Sequence, residues 1–456
     1  MMILLINPGI PPDSPWGLSK LLPPLGLAYV AASLENAGFK VRVYDNYLHK
    51  KPATYMSKLV REFKPDIVGI GCYSVNYRLC IGIAKAVKEA NPDCKVIVGG
   101  PHPTYSPESM LKYQEIDYAI VGEGERATVE LIKCIEEGED LREISKIPGV
   151  ACRIDGKIWE NPPKLIEDLD EIPFPARHLL SMELYDRKIE YLDVEPADVM
   201  NVVRGCPFDC NFCETKKIWG YTCRTFSPYR IVEEIKHLID NYGSKGVYFI
   251  GDNFTVYKER TLEFCELLKK NKIDIEWACD TRVDLVSGEL LYKMKEAGCK
   301  TIWFGIESGS PKILKEINRG FTVEQAINAV KLCRKVGIRT ACSFMIGMPS
   351  ETIQDMMASF NLAKKLNPDW CQFNIYVACP GSKMYEEILE NKLYSRRVDF
   401  VLYVKTDEFD YDLLLKIHKN FMEGLKRSPK RIIRDARRRL LQSLRNLMEL
   451  HRHGKG

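Results

Sequence analysis

What most restricts the fold of this chain is an alternation of short apolar runs with amphipathic stretches of helix length, played out twice. In the first series residues 2–6, 40–44, 67–71, 95–98 and 118–121 read as strands, with helices over 25–37, 55–63 and 79–91. Strands and helices in alternation bury their apolar faces as a parallel, doubly wound sheet with helices on both sides. In the second series strands at about 199–203, 246–251, 274–280, 299–306, 338–347 and 369–377 are separated by helices over 228–242, 258–271, 288–297, 323–336 and 351–366. Six β/α units predict a partial (β/α)6 barrel, in which chemistry gathers at the carboxyl ends of the strands. Between the two series Pro148, Pro162, Pro163, Pro173 and Pro175 punctuate a polar stretch. The expected layout is α/β: a doubly wound domain over 1–146, a linker over 147–195 with one small hairpin at 150–159, a barrel over 196–395, and a small, mostly helical carboxyl-terminal region over 396–456.

At 456 residues the chain exceeds one ordinary domain of roughly 100 to 200 residues. Its 45% hydrophobic and 28% charged residues suit packed cores rather than disorder. A formal net charge of +4 is too small at this length to argue for a nucleic-acid partner. The opening residues carry no cationic region before their apolar run, which meets Asn7-Pro8 too early for a signal peptide. No stretch approaches the roughly 18 uncharged apolar residues of a membrane span. These features predict a cytoplasmic protein. Its 16 cysteines do not suggest disulfides, whose frameworks belong to small secreted chains. Cys134, Cys265, Cys333 and Cys342 sit singly in apolar elements, where a thiol behaves as a small hydrophobe. Cys371 and Cys379 lack the short-spaced companions that a second metal centre needs.

One loop stands apart. Arg204-Gly205-Cys206-Pro207-Phe208-Asp209-Cys210-Asn211-Phe212-Cys213 follows an apolar strand and sets three cysteines among turn-formers, with three and then two residues between them. Thiolates at such spacing suit an iron–sulfur cluster, and three rather than four leave one iron open to a substrate. A partial zinc site and a chance group of buried thiols are the alternatives. Structural zinc wants four ligands, and Cys223, His178 and His237 are all too far along the chain to complete a matching pattern.

The loop resembles the signature of the radical S-adenosylmethionine (SAM) superfamily. The resemblance implies a [4Fe-4S] cluster on Cys206, Cys210 and Cys213, its free iron chelated by SAM, and reductive cleavage of SAM to a 5′-deoxyadenosyl radical. It further implies SAM contacts at the strand ends. Asp252 and Asn253 would hold the amino group, Arg282 the carboxylate and Glu307 the ribose or methionine end, while Ile346-Gly347-Met348 would flank adenine through the backbone. Phe212 would pack near adenine, and Trp219 and Tyr221 are further aromatic candidates. Each polar contact has a plainer reading: Asp252-Asn253 and Glu307 as helix caps, and Arg282 with Asp284 as a structural ion pair.

In the first domain Tyr73-Ser74-Val75-Asn76, Gly99-Gly100-Pro101-His102-Pro103-Thr104 and Gly122-Glu123-Gly124-Glu125 follow successive strands, where doubly wound sheets bind ligands. Glycines at such positions also serve as ordinary turns. Together with Pro23-Pro24-Leu25-Gly26-Leu27-Ala28-Tyr29, these runs resemble the Rossmann-like cobalamin-binding domain of one large superfamily branch, that of class B methyltransferases and the anaerobic magnesium-protoporphyrin cyclase. The resemblance implies cobalamin contacts from Ser74, Val75, Asn76, Gly99, Gly100, Pro101, Thr104, Gly122 and Glu123. Asn7 to Pro24 contains no histidine, so cobalt would lack a histidine on its lower face.

Covering residues 1–380, the resemblance implies an enzyme whose deoxyadenosyl radical removes a substrate hydrogen, after which a methyl group passes by way of cobalamin to an unactivated carbon. Ring closure, carbon–carbon coupling or oxidation by the same radical is one alternative, and a non-catalytic carrier another, although a carrier has no need of SAM contacts. A flavodoxin- or ferredoxin-type reductant is implied. Over 429–450, Ile433, Ala436, Leu440, Leu444 and Leu447 recur at helical spacing among Lys430, Arg431, Arg434, Arg437, Arg438 and Arg445. This predicts a basic amphipathic helix, read either as packed on the barrel or as lying on anionic headgroups at the inner face of a membrane, which would suit a lipid or isoprenoid substrate.

Overall fold

The computed structural model describes residues 1–10 and 22–426. The helix expected over 429–450 lies outside the described residues, and so does most of the loop expected over 7–24. Apolar runs form β1 (Met2–Asn7), β2 (Lys40–Asp45), β3 (Ile67–Gly71), β4 (Lys95–Gly99) and β5 (Tyr118–Ile120), parallel and ordered β2-β1-β3-β4-β5. Successive side chains go to opposite faces: Val68, Val96 and Val98 join one apolar cluster, and Ile67, Ile97 and Ile120 another. A sheet buried on both faces needs such continuous apolar strands. The hairpin β6 (Val150–Ile154) and β7 (Lys157–Glu160), expected within the linker, pairs antiparallel on β5 and completes a seven-stranded sheet. Val150, Ala151 and Cys152 are buried there, which an exposed connection could not offer them.

The second series opens with β8 (Ala197–Met200), which stops short of the expected end at 203. The chain turns, and β9 (Val203–Arg204) pairs antiparallel with β10 (Arg224–Thr225), so a two-stranded ladder brackets the cysteine loop. Then come β11 (Gly246–Phe249), β12 (Glu276–Thr281), β13 (Cys299–Glu307), β14 (Arg339–Ile346) and β15 (Trp370–Ile375). With β8 they form an open, six-stranded parallel sheet in chain order. Trp277, wholly buried, sits among Phe249, Phe254 and Phe264 and donates its indole N–H to the Ala297 carbonyl at 2.7 Å.

Beyond the barrel β16 (Val377–Ala378), β17 (Tyr394–Val398) and β18 (Val401–Val404) form a small antiparallel sheet. Within the region expected to be mostly helical, residues 394–404 thus form a hairpin turning at Asp399-Phe400, with Asp399 in the left-handed region at φ +52°. The helix Tyr411–Lys426 lies along β15, its Phe421 stacked on Phe360 with centroids 4.6 Å apart. Among the described residues no helix is long and apolar enough to cross a membrane.

Candidate functional site

Local geometry holds the cysteine loop in place. Gly205 has φ +93°, and a Cβ there would run into the Thr222 carbonyl across the ladder, so only glycine allows this turn. Asp252 accepts the Gly205 N–H at 2.8 Å, which makes it a buttress of the loop rather than a cap of the next helix. Each sulfur has a polar neighbour: Asn253 Nδ2 donates to Cys206 Sγ at 3.2 Å, Arg319 Nη1 donates to Cys210 Sγ at 3.3 Å, and Cys213 Sγ lies 3.1 Å from Thr215 Oγ1. Such bonds to sulfur are one means by which a protein sets a cluster's potential. All 16 cysteines are free. Among the described residues no group of three or more His, Cys, Asp or Glu side chains is placed to hold a single metal ion. A cluster would take one thiolate per iron from this loop, and Asn253 and Arg319 are donors beside two of the sulfurs.

At the other strand ends the plainer reading sometimes wins. Arg282 forks Asp284 through Nε and Nη2 at 2.9 Å each, and Nη2 also donates to the Arg319 carbonyl at 2.6 Å. Its guanidinium lies 3.6 Å from the Phe208 ring centroid, so the expected fork for a ligand carboxylate is already spent within the protein. Glu307 does not cap the helix at Pro311, a task done by Ser310. It follows a bulge in β13 with φ +72°, its carboxyl 3.8 Å from Arg319, and burial raises its pKa. Phe212 packs half-buried on the barrel core, Trp219 lies 5.2 Å from the Arg204 guanidinium, and Tyr221 is exposed.

In the first domain the expected segments meet at the ends of β3, β4 and β5. Ser74 Oγ is 3.0 Å from His102 Nδ1, and Thr104 Oγ1 accepts the Gly122 N–H at 2.9 Å. Gly100, at φ +109°, brings its backbone against Cys72 and leads into Pro101, the first residue of a short helix. Gly99 ends β4, and Val75 is half-buried between Ser74 and Asn76. Two side chains expected to face the ligand are turned elsewhere. Asn76 donates to the Gly9 carbonyl at 2.9 Å and accepts from the Tyr73 N–H at 2.8 Å. Glu123 accepts from Arg204 Nη1 at 2.6 Å, Arg224 Nη1 at 2.7 Å and the Ile166 N–H at 2.8 Å, while Glu125 takes the other Arg204 nitrogen at 2.5 Å. These buried carboxylates of the first domain grip both strands of the ladder that carries the cysteines.

Residues 200–363 match the model of the Radical SAM superfamily, and residues 18–132 match that of the B12 binding domain. An uncharacterized methyltransferase of Pyrococcus horikoshii is 37% identical over 373 residues, 81% of this chain and 79% of that one. The chain belongs to the radical SAM superfamily, in its B12-binding branch. An anaerobic magnesium-protoporphyrin IX monomethyl ester cyclase of Rubrivivax gelatinosus is 30% identical over 375 residues, 80% of this chain and 66% of that one. Among solved structures the radical SAM methyltransferase TsrM of Kitasatospora setae, with cobalamin and a [4Fe-4S] cluster bound, is alike in fold at a TM-score of 0.70 and 20% identity, over 87% of this chain and 76% of that one.

The chain thus carries both domains of the enzyme class that takes a [4Fe-4S] cluster, SAM and cobalamin. Sequence reasoning missed Arg319 and Thr215 beside the sulfurs. Thr215 lies two residues past Cys213 and was within reach of a local reading. Arg319 is 109 residues from Cys210, in a loop with no pattern of its own. Glu351 was missed as well, and it organises the segment expected at adenine. Its Oε2 accepts the N–H groups of Gly347 at 2.6 Å and Met348 at 3.2 Å, and Oε1 is buried without a partner. Ile346 gives its carbonyl to the Tyr376 N–H, and Gly347, at φ +91°, abuts Leu414.

Burial outweighs the two backbone bonds and pushes the Glu351 carboxyl up to about 8. A carboxyl whose pKa is higher folded than unfolded is most stabilising while protonated, so stability falls as pH rises from about 4.5 to about 8. Glu351→Gln is expected to flatten that slope, which reaches at most ~1.4 kcal/mol per pH unit for one group. Thermal unfolding across that range compares the two proteins, and identical slopes would refute the assignment.

Proposed function

We propose that this radical SAM enzyme is a cobalamin-dependent methyltransferase acting on an unactivated carbon of a small or lipid-like molecule. One observation carries the reading: the strand ends around Ser74, Gly100 and Gly122 and the cysteine ladder belong to different domains, yet the Glu123–Arg204 contact joins them across one seam. When bound, cluster and SAM supply a hydrogen-abstracting radical and cobalamin a transferable methyl group. The chain's own part is to hold and orient. Asn253, Arg319 and Thr215 attend the three sulfurs, and Asp252 keeps Gly205 in its turn. With Arg282 spent, Arg319 and Glu307 become the better candidates for the polar end of SAM, since Arg319 Nε is buried without a partner.

Substrate would be met at the seam. The hydroxyls of Tyr105, from the first domain, beside Glu214, and of Tyr376, just past β15, beside Ser382, are both buried there. Glu214 and Cys379 add polar groups whose pKa values burial raises. Electrons would come from a flavodoxin- or ferredoxin-type protein.

The test is anaerobic protein, reconstituted with iron, sulfide and hydroxocobalamin, then reduced with flavodoxin in the presence of methyl-labelled SAM and candidate extracts. About four irons and one cobalt per chain, 5′-deoxyadenosine, and label in an organic product are expected. The relationship to the cyclase favours one second reading, oxidative ring closure. Deoxyadenosine with a modified but unlabelled product would select that reading, and no deoxyadenosine from fully loaded protein would sink both.

A further inference from the structure

The carboxyl-terminal hairpin reaches back onto the first domain. At its turn Asp399 accepts a fork from Arg78, Nε at 2.8 Å and Nη2 at 2.6 Å. The neighbouring Phe400 ring packs with its centroid 4.5 Å from that of His102 and meets Tyr77 edge-on at 5.2 Å, joining the apolar cluster on that face of the first sheet. His102 is wholly buried and bridges two hydroxyls, Ser74 through Nδ1 and Ser109 through Nε2, each at 3.0 Å. Burial lowers its pKa to about 4, against the opposing pull of Glu108 and Asp399 and with Lys112 adding to the lowering, so the ring is neutral and can both donate and accept.

The segments assigned above to cobalamin, Ser74 to Asn76 and Gly99 to Thr104, are therefore tied together by one imidazole, and that imidazole is backed by a ring from the far end of the chain. A doubly wound domain ordinarily forms its ligand crevice from its own strand ends. Here a side chain of another region completes the wall behind it. Without Phe400 the His102 ring loses packing on one side and is held only by Tyr77 and its two hydroxyl bonds, so a ligand must order more of the crevice as it binds, which lowers affinity.

We propose that Asp399 and Phe400 are positioning residues for cobalamin, holding His102 and through it the Ser74 and Gly100 segments in the arrangement that retains the cofactor. The inference rests on the assignment of that crevice to cobalamin. Phe400 packs in the first-domain cluster, apart from the cluster that contains Phe212 and the barrel strands, so iron binding is independent of it.

The experiment uses the full chain, reconstituted anaerobically and loaded with hydroxocobalamin. Iron and cobalt are counted after desalting, and cobalamin release is followed by absorbance. Phe400→Ala is expected to keep about four irons per chain and to release cobalamin about tenfold faster than wild type. Phe400→Tyr, which keeps the ring, should stay within ~2-fold, and Arg78→Ala, which removes only the exposed fork, should accelerate release ~3-fold. Equal release from Phe400→Ala and wild type overturns the inference, as does parallel loss of iron and cobalt in that variant, the mark of a general structural role. Wild-type protein that retains no cobalamin overturns the crevice assignment itself, and this inference with it.

Discussion

Replacing Cys206 by alanine is expected to abolish 5′-deoxyadenosine formation, to below about a thousandth of the wild-type rate, because residues that act as one unit fail together. In the proposed site the three thiolates would hold one iron each, and two could not retain a cluster that opens its last iron to SAM. Cys206 is only partly buried, so the loss of its side chain leaves little cavity, and the fold should survive. Iron quantified after anaerobic reconstitution separates this outcome from unfolding: the variant should be soluble and iron-poor. Cys379→Ala, also in the seam region but outside the loop, should load iron like wild type. Deoxyadenosine from the Cys206 variant would remove the loop from the chemistry.

The second large effect concerns stability. Glu123 has a side chain only 1% exposed and is shared by Arg204 and Arg224, whose side chains are 4% and 10% exposed. Glu123→Leu would leave two buried guanidinium groups with Glu125 alone beside Arg204, and three of their nitrogens, Arg204 Nε and Arg224 Nε and Nη2, already lack partners. Breaking a buried pair by removing one member costs about 3–5 kcal/mol. Thermal unfolding of the apoprotein should register that loss, and iron loading should fall with it, because Arg204 directly precedes Gly205 in the ladder. By contrast, breaking the exposed Lys146–Glu143 pair should change nothing measurable. A Glu123→Leu protein within about 1 kcal/mol of wild type would refute this account of the domain contact.

Both predictions rest on residues that the sequence singled out, and for Glu123 the structure shows a different set of partners from the one first read there. The cysteine loop was legible because everything it needs lies within ten residues: spacing, turn-formers and a preceding strand. The two strand–helix series were legible for a similar reason, since periodicity is a local property, and the helix Val323–Val336 occupies the expected range. Glu123 was read as a ligand contact, yet its partners Arg204 and Arg224 lie 81 and 101 residues away. Arg282 stood between two readings until the fold directed its fork onto Asp284 and left Arg319, unmarked in sequence, beside Cys210. The sequence showed the β6–β7 hairpin as part of a linker and residues 398–403 as a single strand, and showed the docking of neither on the first domain. By itself, then, the sequence determined the strand–helix architecture and marked out the cysteine loop and the strand ends as candidates for the chemistry. Tertiary structure alone decided which polar side chains are spent on one another. A buried charge must find its partner wherever the folded chain brings one, and local pattern carries no record of that distance.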